Sequence, residues 1–235
     1  MDAAVPGTQR TVVEGGRSDV EHVDEQIISL LYGESEAQEA RGKQENKMTP
    51  PQFASPQTIL KINGETVPFT EEQLLDGKLR VPLPKTFHVM SPETAALKYP
   101  SEQRPDVIYS NDSASINIAF NHTEQSLSAN EVEEFTAAMV QILRRTQPIL
   151  QWYEDGVRYI REKPIGYCEF QIPSLSANIY QLMFFAELDD RALLCTFNCT
   201  EEEIKHWKPI AWGMMDSLDF GKEGRNDDPV GARLS

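Results

Sequence analysis

Residues 149–218, ILQWYEDGVRYIREKPIGYCEFQIPSLSANIYQLMFFAELDDRALLCTFNCTEEEIKHWKPIAWGMMDSL, decide the fold. Apolar residues recur there at every second position and then switch to spacings of three and four. That change marks strands followed by a helix. Asp155-Gly156 lies between the apolar-rich runs 149–153 and 157–160 and predicts a two-residue hairpin, because Asp-Gly accepts positive φ at little cost. In 166–172, Cys168, Phe170 and Ile172 share one face, with Tyr167, Glu169 and Gln171 on the other. In 178–188, Tyr180, Leu182, Phe184, Ala186 and Leu188 share a face. The opposite face, with Gln181, Met183 and Phe185, is only partly polar, which predicts a central strand covered on both sides. Asp189-Asp190-Arg191 turns the chain into 192–199, whose core face is Leu193, Cys195, Phe197 and Cys199. Thr200 with Glu203 reads as a capping box opening a last helix. Ile204, Trp207, Ala211, Met214 and Leu218 form its apolar stripe, and Pro209 within it predicts a kink or a break.

Working outward, Asn63-Gly64 between 59–62 and 65–69 predicts an earlier hairpin. Thr70 with Gln73 reads as a second capping box, starting a short helix ended by Asp76-Gly77. Pro82 and Pro84 confine 79–90 to an edge strand or extended loop. Ser91-Pro92 opens a short helix to about Tyr99. Short strands follow at 107–109 and 114–120, the second with Ala114, Ile116, Ile118 and Phe120 inward. A long helix then starts at Ser128, boxed by Glu131. It carries the stripe Val132, Phe135, Met139 and Ile142, and Pro148 stops it.

The first 57 residues are rich in Glu, Gln, Gly, Ser and Pro, and such a composition cannot offset the entropy of ordering, so they read as a disordered extension. Within them Val20, Val23, Ile27 and Leu30 recur at helical spacing. They form a candidate linear motif for a partner's groove, or a helix that docks on its own domain. Residues 58–219 form one predicted domain and 220–235 a frayed tail.

The net charge is −15 across 235 residues. That balance argues against nucleic acid and against anionic membrane surfaces, both of which need clustered cations. No run approaches the roughly 20 apolar residues of a spanning helix, so no membrane insertion is expected. Residues 1–16 lack the basic and apolar regions of a secretory signal, which makes the cytoplasm the expected compartment. Sequons at Asn111, Asn121 and Asn198 matter only in a secreted chain. Cys168, Cys195 and Cys199 fall on apolar strand faces and read as reduced, buried and metal-free. A zinc site from Cys195, Cys199 and His206 requires Cys199 to leave its strand, since four strand residues span roughly 13 Å.

The order of strands, long helix, four antiparallel strands and final helix resembles the PsbP/DcrB-like family. The resemblance is carried by Leu83-Pro84 with Phe87, the helix started by Ser128, the hairpins through Gly166 and Tyr180, and the last helix with Trp207 and Ser217-Leu218. It implies an α+β fold, an α/β sandwich with a central antiparallel sheet flanked by helices. It also implies action mainly by binding other proteins.

The residues themselves offer no glycine-rich phosphate loop, nucleophile elbow or zinc-helix signature. His22, His88, His122 and His206 are scattered, and the acid pairs have turn or helix-start explanations. No catalytic residue, metal or cofactor is therefore expected. The reading is a non-enzymatic protein-binding or chaperone-type module with Tyr159, Tyr167, Trp152, Met183 and Phe185 as candidate partner contacts. The alternative is a small-molecule-binding or hydrolytic enzyme with a polar pocket on the sheet.

Overall fold

Two antiparallel sheets and three helices make up the computed structural model, which describes residues 49–53, 57–99 and 104–221. The motif expected at Val20, Val23, Ile27 and Leu30 lies outside the described residues. A four-stranded sheet runs β1 (Gln57–Ile62), β2 (Glu65–Leu74), β3 (Leu79–Pro84), β11 (Asp219–Phe220). The larger sheet contains β4 (His88–Val89), β5 (Val107–Ser110), β6 (Ile116–Ser126), β7 (Gln151–Ile160), β8 (Lys163–Ile172), β9 (Ile179–Leu188) and β10 (Arg191–Thr200). Its strand order is β4-β5-β6-β10-β9-β8-β7, so β7 is an outer strand. The helices are α1 (Pro92–Lys98), α2 (Val132–Thr146) and α3 (Ile204–Asp216). This is the α+β architecture expected, with an antiparallel sheet between helices.

The large sheet is apolar on both faces. Met139, Ile142 and Leu143 of α2 cover Cys168, Phe170, Met183, Phe185 and Leu194. On the opposite face Trp207, Ala211 and Met214 of α3, with Phe69, Val81 and Leu83 of the small sheet, cover Ile118, Phe120, Tyr180, Leu182, Phe184 and Phe197. Strand β9 is buried on both sides, as its two-sided apolarity predicts. The Asn63-Gly64 hairpin forms with both residues at positive φ, and Ser91 caps a helix with Pro92 in its first turn.

Several local signals lose to longer-range pairing. Asp155-Gly156 makes no turn, and β7 runs through it, paired with β8 from Gln151 to Ile160. The hairpin turns instead at Arg161-Glu162, both at positive φ. Extending two strands to match β9 outweighs the roughly 1–2 kcal/mol per residue of placing non-glycine residues there. Thr70 and Gln73 likewise stay in β2, paired with Leu83 and Arg80, and no helix forms. A cap contributes only about 1 kcal/mol, less than the ladder and the burial of Phe69 and Leu74. Thr200 makes no side-chain cap bond; a 3-10 turn over Glu201–Glu203 leads into α3 instead. Pro209 sits inside α3 without dividing it. Ala114 occupies a turn at positive φ, outside the strand it was expected to open.

The folded unit also begins earlier than residue 58. Phe53 packs on Phe69 with ring centroids 4.9 Å apart. Pro51 approaches α3 so closely that a Cβ at Gly213 would stand 2.6 Å from its carbonyl oxygen. Glycine at 213 is what admits this strap. At the other end Phe220 pairs with Leu79, and the Gly221 N–H donates to the Lys78 carbonyl at 2.8 Å.

All three cysteines are free and buried. Cys168 lies under α2, whereas Cys195 and Cys199 lie on the other face. Cys199 remains in β10, so the condition for a zinc site with Cys195 is not met. Burial pushes all three thiols up, well clear of the range in which a thiolate forms at neutral pH. Iodoacetamide should leave the native protein unmodified and alkylate all three thiols in denaturant. Rapid modification of any one in the native state would contradict this burial.

Candidate functional groove

A groove of about 470 Å³ opens between the start of α2 and the outer hairpin β7–β8. Ala129, Asn130, Glu133, Thr136 and Ala137 form one wall, and Asp155, Gly156, Val157, Tyr159 and Pro164 the other. The sequence positions both walls. Ser128 starts the helical turn, its N–H donating to Glu131 Oε2 at 2.9 Å. Glu131's carboxyl is held below its ordinary value by the Ser128 hydroxyl and backbone. Thr136 donates its hydroxyl to the Val132 carbonyl at 2.6 Å and faces Gly166, whose missing side chain lets the helix rest on β8. The register of β7 against β8 slips between Trp152 and Glu154. Such a bulge bends its strand, and the segment beyond it forms the outer wall of the groove.

Asp155 of the groove wall belongs to a tight cluster. Trp152 stacks on Phe170 at 5.3 Å and 6°, and the Arg144 guanidinium covers its ring at 4.3 Å. The Trp152 indole N–H donates to Asp155 Oδ1 at 2.7 Å, and Arg144 Nη2 donates to the same oxygen at 3.2 Å. Asp155 is thus neutralised, while Glu133 makes no ion pair among the described residues. Tyr159 of the same wall is 75% exposed.

The five candidate partner contacts do not form one surface. Tyr159 lies on the α2 face of the sheet, opposite Pro164 in register. Tyr167 lies on the α3 face, edge-on to Trp212 at 4.9 Å. Arg158 sits 4.4 Å from the Trp212 ring and donates to both carboxylate oxygens of Asp216. Tyr167 is thus a packing residue, and burial raises its phenol. Met183 and Phe185 are 0% exposed beneath α2 and cannot meet a partner. Trp152 has both ring faces occupied. The sheet face opposite the long helix is covered by α3 and the small sheet. Sequence reasoning missed the helix wall of Asn130, Glu133 and Ala137. Its one local signal was the non-apolar face of the long helix, which looks like any solvated face.

A second polar cluster is buried. Glu169, 1% exposed, accepts from Tyr180 Oη at 2.6 Å and from Lys208 Nζ at 2.8 Å. Lys208 also lies 4.4 Å from the Tyr153 ring centre. The cluster ties α3 to the sheet. His88, His122 and His206 lie in β4, β6 and α3. No group of three metal-ligating side chains occurs among the described residues. No helix among them is long and apolar enough to cross a membrane.

No protein-family model and no curated protein matches the chain. Solved structures do. Cyanobacterial PsbP (CyanoP) from Synechocystis sp. PCC 6803 matches over 65% of this chain and 92% of its own, with TM-score 0.46 and 10% identity. PA94 of Pseudomonas aeruginosa, a protein of unknown function described as a putative regulator, matches over 70% and 97%, with TM-score 0.37 and 11% identity. LpqN of Mycobacterium tuberculosis, described as involved in cell envelope biogenesis, matches over 72% and 88%, with TM-score 0.34 and 9% identity. Each is a likeness in fold at low sequence identity.

Proposed function

We propose that the chain is a non-enzymatic protein-binding module of the cytoplasm whose docking surface is the groove between α2 and β7. The observation that carries this reading is Tyr159, a large amphipathic side chain left 75% exposed at the lip of a preformed groove. Tyrosine anchors interfaces because it combines apolar area with a polar tip and few rotatable bonds. Nothing in the groove pairs a nucleophile with a base, and its Asp155 is engaged by Arg144 and Trp152.

The test compares two tyrosine variants. Tyr159→Ala should weaken capture of partners from a native extract several-fold while changing stability by less than about 0.5 kcal/mol, as for other surface sites. Tyr167→Ala should cost about 2 kcal/mol, from its contacts with Trp212 and Arg158, and leave capture intact once the protein is folded. Unchanged capture by Tyr159→Ala would rule the groove out as the docking surface.

A further inference from the structure

We infer that the occupant of the groove is an extended, basic segment of a partner protein, which adds to β7 as an eighth strand of the large sheet and lays a Lys or Arg side chain against Tyr159 and Glu133. This rests on the reading of the groove as the docking surface and names the chemistry it takes.

Two independent features lead there. The first is the backbone. β7 ends the large sheet, so one side of its ladder has no partner strand among the described residues. Outer strands are usually blunted, because their open N–H and C=O groups template pairing. In β7 the device is the bulge between Trp152 and Glu154, which disrupts the first half. From Gly156 to Ile160 the register with β8 is unbroken, so this half remains a regular edge of five residues. The groove is lined by Asp155, Gly156, Val157 and Tyr159 of β7, beyond the bulge. An added strand would therefore lie along the regular edge with alternate side chains directed over the groove.

The second feature is charge. The cations nearest the outer strand are already matched: Arg144 by Asp155 on one face, and Arg158 by Asp216 on the other. What remains on the groove wall is the exposed carboxylate of Glu133. The exposed Tyr159 ring is a cation–π acceptor, a use of aromatic rings this protein already makes with Arg144 over Trp152 and Arg158 over Trp212. A chain of net charge −15 also steers cationic segments and repels acidic ones.

The experiment uses the full chain and three peptides of about ten residues, a length matched to one strand. One alternates Lys and Val, one alternates Glu and Val, and one repeats the basic sequence with every second backbone nitrogen methylated. The basic peptide should bind, weaken as salt rises past the roughly 10 Å screening length of 0.1 M, and slow amide exchange within residues 156–160. Tyr159→Ala should weaken it about three- to tenfold. Methylation should abolish binding, because it removes main-chain donors without touching charge. Equal binding of the acidic peptide, full binding of the methylated one, or protection confined to other strands would each overturn the inference. So would no binding of the basic peptide at low salt. If that failure came with Tyr159→Ala still losing native partners, the docking groove would stand and only the basic strand would fall.

Discussion

Replacing Lys208 by Met is expected to cost about 3 kcal/mol of folding stability, toward the low end for breaking a buried ion pair because the lysine side chain is 23% exposed. The cost arises on the partner left behind. Glu169 is 1% exposed and its Oε1 receives both Lys208 and Tyr180. Without the ammonium, a buried carboxylate retains a single neutral donor, and Glu154 nearby opposes its charge further. Met fills much of the lysine's volume, so the loss reports electrostatics and not a cavity. Adding Glu169→Gln to Lys208→Met should recover most of the deficit, since an uncharged pair removes the desolvation cost. Urea unfolding at neutral pH measures both variants. A loss below about 1 kcal/mol would mean the pair sits in a wetter site than its burial indicates.

The same variant carries a pH signature. Burial raises the Glu169 carboxyl above its ordinary 4.5, against the opposing hydrogen bonds and charge of Lys208 and Tyr180. A raised folded value means the native state holds the proton more tightly than the unfolded chain. This group's contribution to stability is therefore poorest above its folded pKa. It improves as pH falls through that value toward 4.5. Removing Lys208 raises the folded value further. The deficit of Lys208→Met relative to wild type should thus shrink as pH is lowered, and a deficit constant with pH would contradict the assignment.

How much of this was legible in the sequence depends on the range over which each determinant acts. The alternations in β8, β9 and β10, the long helix and the stripe of α3 were readable, because each is set by a period within one element. The turns were readable only where the local preference agreed with the pairing, as at Asn63-Gly64 and Asp189-Asp190. Asp155-Gly156 failed because ten-residue pairing with β8 overrode it, moving the hairpin to Arg161-Glu162. The candidate site suffered more. Alternation placed Tyr159 and Tyr167 off the apolar rows, but the expected turn between their strands was six residues too early. Which face each tyrosine shared with which helix could not follow. The aromatic side chains that looked like anchors are held from other elements, Trp152 by Arg144 of α2 and Tyr167 by Arg158 of β7 and Trp212 of α3. No local pattern encodes those contacts.

Gly166→Ala should give the other large effect, about 3 kcal/mol, the upper range for overpacking a closed contact. A Cβ at 166 would stand 2.9 Å from Thr136 Cβ and nearer still to its hydroxyl oxygen. Neither side can give way easily. Thr136 is buried and its hydroxyl is bonded to Val132, while β8 is fixed between β7 and β9. Thr136→Ala in the same chain should restore only part of the loss, because it removes the hydroxyl but leaves the Cβ in place. Full recovery would show that the hydroxyl alone is the obstacle. The pair also joins stability to binding, since Thr136 lines the groove that Tyr159 guards. If the helix yields by lifting from β8, the groove widens, and affinity for an added strand on β7 should fall together with stability. If the sheet yields instead, stability alone should drop. Measuring peptide binding by Gly166→Ala at a temperature where the variant is fully folded separates the two. Unchanged stability would show that the seat of α2 on β8 is looser than the glycine contact implies.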